Sequence, residues 1–342
     1  MQILDFRSDT VTKPTKEMTN AMVEAKLGDD VFGDDPTVIE LEEKAAKLFG
    51  KDKALFVPSG TMGNQVSIKT HTSPGEEIIL ECDSHIYLYE AGGAAFHSGV
   101  SIRPIFTNNG VMLLDEVSDS IRPDYLHFPK TSLICIENTH NMKSGRIIPL
   151  DYMQDLYKLA KEKNVNVHLD GARIWNAHVA TGIPISEYAK CADSVMSCLS
   201  KGLSSPVGSL IMGSTEFIER ARKFRKVMGG GMRQAGVLAA CGIVSLDKMI
   251  KRLEEDHECA KYLAKKLSDI PWIQCPEKVD TNIFIFTIRD PHLTSDMVLS
   301  HLKEKNILGV PRSEKKIRFV THKDVTKKDV DYLYNVMKDY NI

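Results

Sequence analysis

The stretch DSVMSCLSKG, residues 193–202, is a short apolar run that ends on Ser200, Lys201 and Gly202, and VNVHLDGAR, residues 165–173, is a second such run ending on Asp170 and Arg173. Both are too short for a buried helix and are bounded by turn-forming residues, so each reads as a buried strand. Further runs of the same kind lie at 54–57, 78–81, 133–137 and 209–212, separated by helix-length segments. That alternation predicts an α/β fold around a mostly parallel sheet covered on both faces. In such sheets ligands gather at the carboxyl ends of the strands. A lysine and a carboxylate at two strand tips are therefore candidates for a shared site.

The chemistry of that pair is specific. An aldehyde cofactor needs an amine with which to form a Schiff base, and a pyridine ring needs an anion to keep its nitrogen protonated and electron-accepting. Lys201 and Asp170 can supply the two for pyridoxal phosphate. Each also has a plainer reading, as a solvated lysine and as a helix cap. Their surroundings decide between the readings. Residues 57–64 (VPSGTMGN) end a strand and open a helix, so the amides of Gly60 and Thr61 and the hydroxyls of Ser59 and Thr61 can cradle a phosphate. The same tripeptide also reads as a capped strand-to-helix turn, and it lacks the Gly-Lys-Ser/Thr ending of a Walker loop. His85 follows the run at 78–83 and can stack on a flat ring or move protons, or sit as a structural histidine. Arg173 can clamp a carboxylate through two parallel hydrogen bonds, or form a surface salt bridge.

Composition sets bounds. A chain of 342 residues with 42% hydrophobic residues buries a large core and exceeds a comfortable single domain. The division expected is an N-terminal arm and large domain over 1–246 and a small C-terminal α/β domain over 247–342. Forty-four basic against 46 acidic residues, without long like-charge runs, argue against a nucleic-acid partner. Seven scattered cysteines, never spaced Cys-x-x-Cys, suit reduced thiols in the cytoplasm. The N-terminus MQILDFRSDT has charges where a signal peptide needs an apolar core, and no segment is long enough to span a membrane, so a soluble, unprocessed protein is expected.

Local signals complete the reading. Asp35 and Pro36 open a helix that closes at Gly50, with Val38, Leu41, Ala45 and Leu48 on its buried face. A helix through Ile250, Leu253, His257, Ala260, Leu263 and Leu267 is expected to bridge the two domains. Strands at 282–288 and 317–320 follow. Thr326 and Asp329 then start a last amphipathic helix through Val330, Leu333, Val336 and Met337.

Together the motifs resemble one family. LDFRSDTVTKP (4–14), GDDVFGDDP (28–36), FVPSGTMGNQ (56–65), IENTHN (136–141), HLDGARIWN (168–176), CLSKG (198–202), GGGMRQAG (229–236) and IRFVTH (317–322) occur in order across essentially the whole chain. The sequence is similar to the low-specificity L-threonine aldolases, within the beta-eliminating lyase and threonine aldolase family. The resemblance implies an aminotransferase-like, fold-type I architecture of the pyridoxal phosphate-dependent transferases.

By that resemblance Lys201 carries the cofactor beside Ser200, Asp170 pairs with its ring nitrogen, His85 stacks on the ring, and Ser59, Gly60 and Thr61 hold the phosphate. Ser8, Arg173 and Arg318 correspond to the grip on the substrate carboxylate. His127 corresponds to a residue near the substrate hydroxyl, and Tyr89 lies in the matching loop. Lys226 and Arg233 would approach the phosphate of a neighbouring protomer, in a homo-oligomer, a tetramer, with sites at subunit interfaces.

The activity implied is retro-aldol cleavage of L-threonine and L-allo-threonine to glycine and acetaldehyde, with the general base open between His85, His127 and a phosphate-linked water. No metal is expected. Three alternatives stand beside it: another lyase or a transaminase on the same scaffold, a cofactor-binding regulator without turnover, and a metal triad drawn from His168, Asp170 and a distant histidine.

Overall fold

The computed structural model describes residues 3–340. Its centre is a seven-stranded sheet made of β2 (Lys53–Val57), β3 (Glu77–Glu81), β4 (Ser101–Ile105), β5 (Thr131–Glu137), β6 (Asn166–Asp170), β7 (Ser194–Cys198) and β8 (Ser209–Gly213), after a short β1 (Leu4–Asp5). The spatial order is β2-β8-β7-β6-β5-β3-β4. Only β8 runs against the others, pairing antiparallel with both β2 and β7. Every residue of β3, β5 and β7 is buried. That is why these strands read as continuous apolar runs rather than alternating ones.

β4 escaped the sequence reading. It is a half-exposed edge strand with Pro104 inside it, a position where a missing N–H costs no ladder bond, so proline is tolerated there although it breaks the pattern a reader looks for.

The helix Pro36–Phe49 is capped by Asp35, whose carboxylate accepts from the amides of Thr37 and Val38, and it ends on Gly50 at φ 61°. Its buried side chains include Val38, Leu41, Ala45, Ala46 and Phe49. Leu48, expected on that face, is exposed. The stripe passes instead through Phe49, which meets Trp175 edge-on at 5.2 Å.

The C-terminal part holds a second, antiparallel sheet in the order β12-β13-β10-β9, built from β9 (Ile273–Gln274), β10 (Ile283–Ile288), β12 (Val310–Ser313) and β13 (Lys316–Val320). The separate β11 (Ile307–Leu308) pairs in parallel with β1. The start of the N-terminal arm is therefore fastened to the C-terminal sheet, with Phe6 in its core, while Asp9 and Thr12 further along the arm bond to Arg173 and the Lys201 carbonyl. The helix Leu253–Leu267 packs on both Lys327–Lys338 and Ile174–Thr181, and His257 Nε2 lies 2.9 Å from Asn176 Oδ1, so it does link the two units. Thr326 and Asp329 form the reciprocal capping box expected of the last helix. No helix among the described residues is long and apolar enough to cross a membrane.

Candidate active site

β2, β3, β5, β6 and β7 run in one direction, so their carboxyl ends lie along the same edge of the sheet, and the sequence places a chemically distinctive residue just beyond each. After β2 the chain turns into the helix Gly60–His71. Ser59 Oγ caps the amide of Met62 at 3.1 Å, while the amides of Gly60 and Thr61, first in the helix, have no partner among the described residues. Gly60 is required by close approach: a Cβ there would lie 2.8 Å from Cys198 Sγ at the end of β7. The helix start is thus pressed against the strand that leads to Lys201.

Asp170 closes β6 and is buried. Its Oδ1 accepts the Ala172 amide at 3.1 Å and its Oδ2 accepts Asn64 Nδ2 at 2.8 Å, so it is both a local cap and part of a network. Asn64 Oδ1 is 3.1 Å from His168 Nε2, and His168 Nδ1 is 2.8 Å from Ser194 Oγ. His168 therefore has both ring nitrogens hydrogen-bonded within the protein, which counts against the triad alternative. Burial pushes the His168 imidazole down to about 4, so the ring is neutral.

Lys201 is half-buried, and its ammonium makes no hydrogen bond or ion pair among the described residues. Its carbonyl accepts Thr12 Oγ1 at 2.9 Å, which lays the N-terminal arm over the loop. His85 opens the short helix His85–Leu88. Its amide donates to Glu137 Oε2 at 2.7 Å, and its Nδ1 lies 2.9 Å from Glu90 Oε1. Polar atoms of His85, Glu90 and Asp170 lie within 4.8 Å of one another.

A cationic end faces this cluster. Arg173, buried, donates through Nε and Nη2 to the two oxygens of Asp9 at 2.8 and 2.7 Å. Its fork is thus already taken by a carboxylate of the arm, where the sequence reading offered the whole fork to a substrate. Asp9 is buried, which opposes its ionisation, yet the Arg173 charge prevails and holds it well below the usual range. Asn282 also donates to Asp9, joining arm, large sheet and C-terminal sheet at one residue. Ser8 precedes it and is half-buried.

From β13, Arg318 donates to Asn141 Oδ1 at 2.7 Å and to the Arg7 carbonyl at 2.9 Å. Arg312, from β12, donates to the Tyr89 hydroxyl at 3.0 Å. Burial, then the charges of Arg173 and Arg312, bring Arg318 down to about 9. Arg173, Arg312 and Arg318 are close enough for their charges to act on one another, with Asp9 as the carboxylate paired to Arg173, so this cluster is short of an anion.

The structure thus places Ser59, Gly60, Thr61, His85, Tyr89, Asp170, Arg173, Ser200 and Lys201 at or beyond the carboxyl ends of β2, β3, β6 and β7, with Ser8 on the arm and Arg318 on β13. It does not bring His127 to them. His127 is exposed and lies four residues before β5, at the amino end of that strand. A seven-residue strand separates the two ends by about 20 Å. Lys226 and Arg233 are also exposed and make no hydrogen bond to these groups; Arg233 pairs with Asp29 at 3.0 Å. Asp9, Asn64, Glu90, Glu137, Asn141 and Arg312 were missed. Asp9, Asn64 and Asn141 lie inside quoted motifs and were legible by place, whereas Glu90 and Arg312 had no pattern around them.

The groups present suit a phosphorylated pyridine aldehyde: free amides at a helix start for the phosphate, a buried anion for the ring nitrogen, and an unpaired amine for the aldehyde.

Comparison with known proteins agrees with that geometry. The beta-eliminating lyase family model matches residues 5–291. Low-specificity L-threonine aldolase 1 of Arabidopsis thaliana is 43% identical over 338 residues, covering 97% of this chain and 94% of that protein. The low specificity L-threonine aldolase of Escherichia coli (strain K12) is 41% identical over 329 residues, covering 96% of each. A solved structure of Leishmania major threonine aldolase superposes with a TM-score of 0.82 at 18% identity, covering 98% of both chains. At that identity the likeness concerns the fold, and it is the fold-type I architecture expected from the sequence. On the extent of the family match and the identity to its members, this chain belongs to the beta-eliminating lyase family.

Proposed function

We propose that this chain is a pyridoxal phosphate-dependent aldolase that cleaves L-threonine and L-allo-threonine to glycine and acetaldehyde. The observation that carries the reading is that Lys201, Asp170 and the free amides of Gly60 and Thr61 lie at or after the carboxyl ends of β7, β6 and β2, with the buried Arg173 and Arg318 as further cations. When bound, the cofactor supplies a ring that accepts electrons from the α carbon. Asp170, held by Asn64, keeps an anion at the ring nitrogen. Lys201 would hold the cofactor through its side-chain amine.

Arg318, Ser8 and the remaining donor of Arg173 hold the substrate carboxylate, and Arg312 adds charge to that end. Fixing the carboxylate fixes which bond at the α carbon is broken, and this separates an aldolase from a transaminase on the same scaffold. A base then removes the β-hydroxyl proton as the Cα–Cβ bond breaks, acetaldehyde departs, and a proton delivered to the α carbon leaves glycine. Of the candidates for that base, His85 is the one this reading favours, because a ring nitrogen lies within 4.8 Å of carboxylate oxygens of Asp170 and Glu90. His127 and a phosphate-linked water remain the other two readings.

We further propose a homotetramer with sites shared between protomers, in the cytoplasm. Tyr125, Leu126 and Phe128 beside His127, and Val227 beside Lys226, are exposed large apolar side chains of the kind that contacts between copies bury. Sedimentation at four times the chain mass is expected; a monomer active at every concentration would sink this part. The reaction itself is tested by product analysis with added pyridoxal phosphate. Equal amounts of acetaldehyde and glycine from L-threonine are expected, and a 2-oxo acid in their place would identify a transaminase.

A further inference from the structure

We infer that Glu90 is a positioning residue for His85: its carboxylate accepts a hydrogen bond from Nδ1–H of the imidazole and so leaves Nε2 as the nitrogen that accepts the substrate's proton. The inference rests on the aldolase reading and concerns a residue for which that reading had no role.

Glu90 lies five residues after His85, past the end of the short helix His85–Leu88, and its side chain is fully buried. Three donors converge on it. Asn64 Nδ2 and His85 Nδ1 meet Oε1 at 2.8 and 2.9 Å, and Gln65 Nε2 meets Oε2 at 2.6 Å. The chain is shaped to close over this group. A Cβ on Gly93 would fall 2.7 Å from Gln65 Cδ, so only glycine lets the turn after Glu90 pass the Gln65 amide.

A buried carboxylate is an expensive way to satisfy neutral amides, because its desolvation must be offset by several good hydrogen bonds. A glutamine could accept from Asn64 without that cost. What the carboxylate adds is charge and strict acceptor character. Against an acceptor, Nδ1 must be the protonated nitrogen, so the neutral ring carries its free electron pair on Nε2.

The charged and titratable groups around His85 come from several elements. They are Glu90 beyond its own helix, Tyr89 beside it, Glu137 at the end of β5, Asp170 at the end of β6 and Lys201 after β7. Burial disfavours the charged ring, but the Glu90 hydrogen bond, followed by the charges of Asp170 and Glu90, outweighs it against the opposition of Lys201, and the imidazole is raised above its usual value. A base at a substrate hydroxyl gains from that shift.

The test is Glu90→Gln, which keeps the size and removes the charge. With histidine-labelled protein and NMR, the His85 titration is expected to fall by about one pH unit, and the acidic limb of kcat/KM to follow it. The plateau of kcat/KM is expected to drop about 10- to 100-fold. In a His85→Phe background, which keeps a ring to stack, the same change is expected to alter kcat/KM by less than about twofold.

An unmoved His85 titration, or an equal loss in both backgrounds, would mean that Glu90 only supports Asn64 and Gln65, and would overturn the inference. If Glu90→Gln does not fold, Glu90→Asp draws the charge back from Nδ1 and is read by the same titration: a smaller fall supports the inference and none overturns it. Wild-type protein that makes no acetaldehyde and glycine would sink the aldolase reading alone, since the NMR shift does not depend on turnover.

Discussion

Arg318 shows how a single side chain can announce a missing partner. Two of its nitrogens are satisfied by Asn141 and by the Arg7 carbonyl, its Nε is buried without a partner among the described residues, and burial, then the neighbouring guanidinium groups, bring it down to about 9. An incoming carboxylate relieves the repulsion. Lysine cannot reproduce the planar fork. Arg318→Lys is therefore expected to raise KM for L-threonine about 10- to 100-fold, the worth of one charge-assisted hydrogen bond, with a smaller effect on kcat. Initial rates over a range of threonine concentrations check this, and an unchanged KM would remove Arg318 from the carboxylate grip.

Arg318 itself was legible because it sits in the quoted motif IRFVTH. Arg312 was not, because nothing in PRSEKK marks it. It reaches the site only through the pairing of β12 with β13, in which Val310 stands opposite Arg318. Asp9 lies in the quoted motif LDFRSDTVTKP, but nothing in that motif marks its partner. Its role depends on Arg173, 164 positions away.

At the scale of elements, local signals carried far. The cap, first-turn proline and terminal glycine of the helix Pro36–Phe49 are short-range features, and the structure has all three. The second oxygen of Asp35 was beyond such reading, since it accepts the amides of Gly28 at 3.3 Å and of Gly236 at 2.9 Å, the latter from the far side of the chain. Asp35→Ala removes the cap and strands two further amides. A loss of about 3 kcal/mol is expected in denaturant unfolding, more than an ordinary cap contributes, and a loss below about 1 kcal/mol would show that water replaces those bonds. Buried strands were legible from continuous apolar runs, whereas β4 was not, because an edge strand does not need that pattern.

At the scale of the molecule, acid resistance follows from which histidines are buried neutral. Burial holds His168 and His257 at about 4 and His71 at about 3, against 6.5 for the exposed group. Between pH 6.5 and about 4 the unfolded chain binds protons that the folded chain refuses. Stability present at neutral pH is thus lost as pH falls, by about 1.4 kcal/mol per pH unit for each histidine.

Asp256, pushed up to about 6 by burial in spite of Arg252, acts in the opposite sense below pH 6 and offsets roughly one of the three. His85 and His140 are raised, so their contribution is complete below 6.5 and adds no slope there. The unfolding midpoint is expected to fall steadily from pH 6.5 to 4.5, and less steeply in His168→Gln. An equal slope in that variant would contradict the assignment of His168 as neutral.

The position of His127 belongs to this scale as well. The resemblance gave it a place near the substrate hydroxyl, but the topology puts the residue at the amino end of β5, away from the site of its own chain.

The most direct test of the whole account compares the purified protein with Lys201→Ala, each supplied with pyridoxal phosphate, by visible absorbance and by acetaldehyde and glycine formed from L-threonine. The wild type is expected to show both the bound-cofactor band and the products, and the variant neither. A variant that kept its colour and its products at the wild-type rate, or a wild type that took up no cofactor, would contradict the assignment of Lys201 and with it the reading of the site.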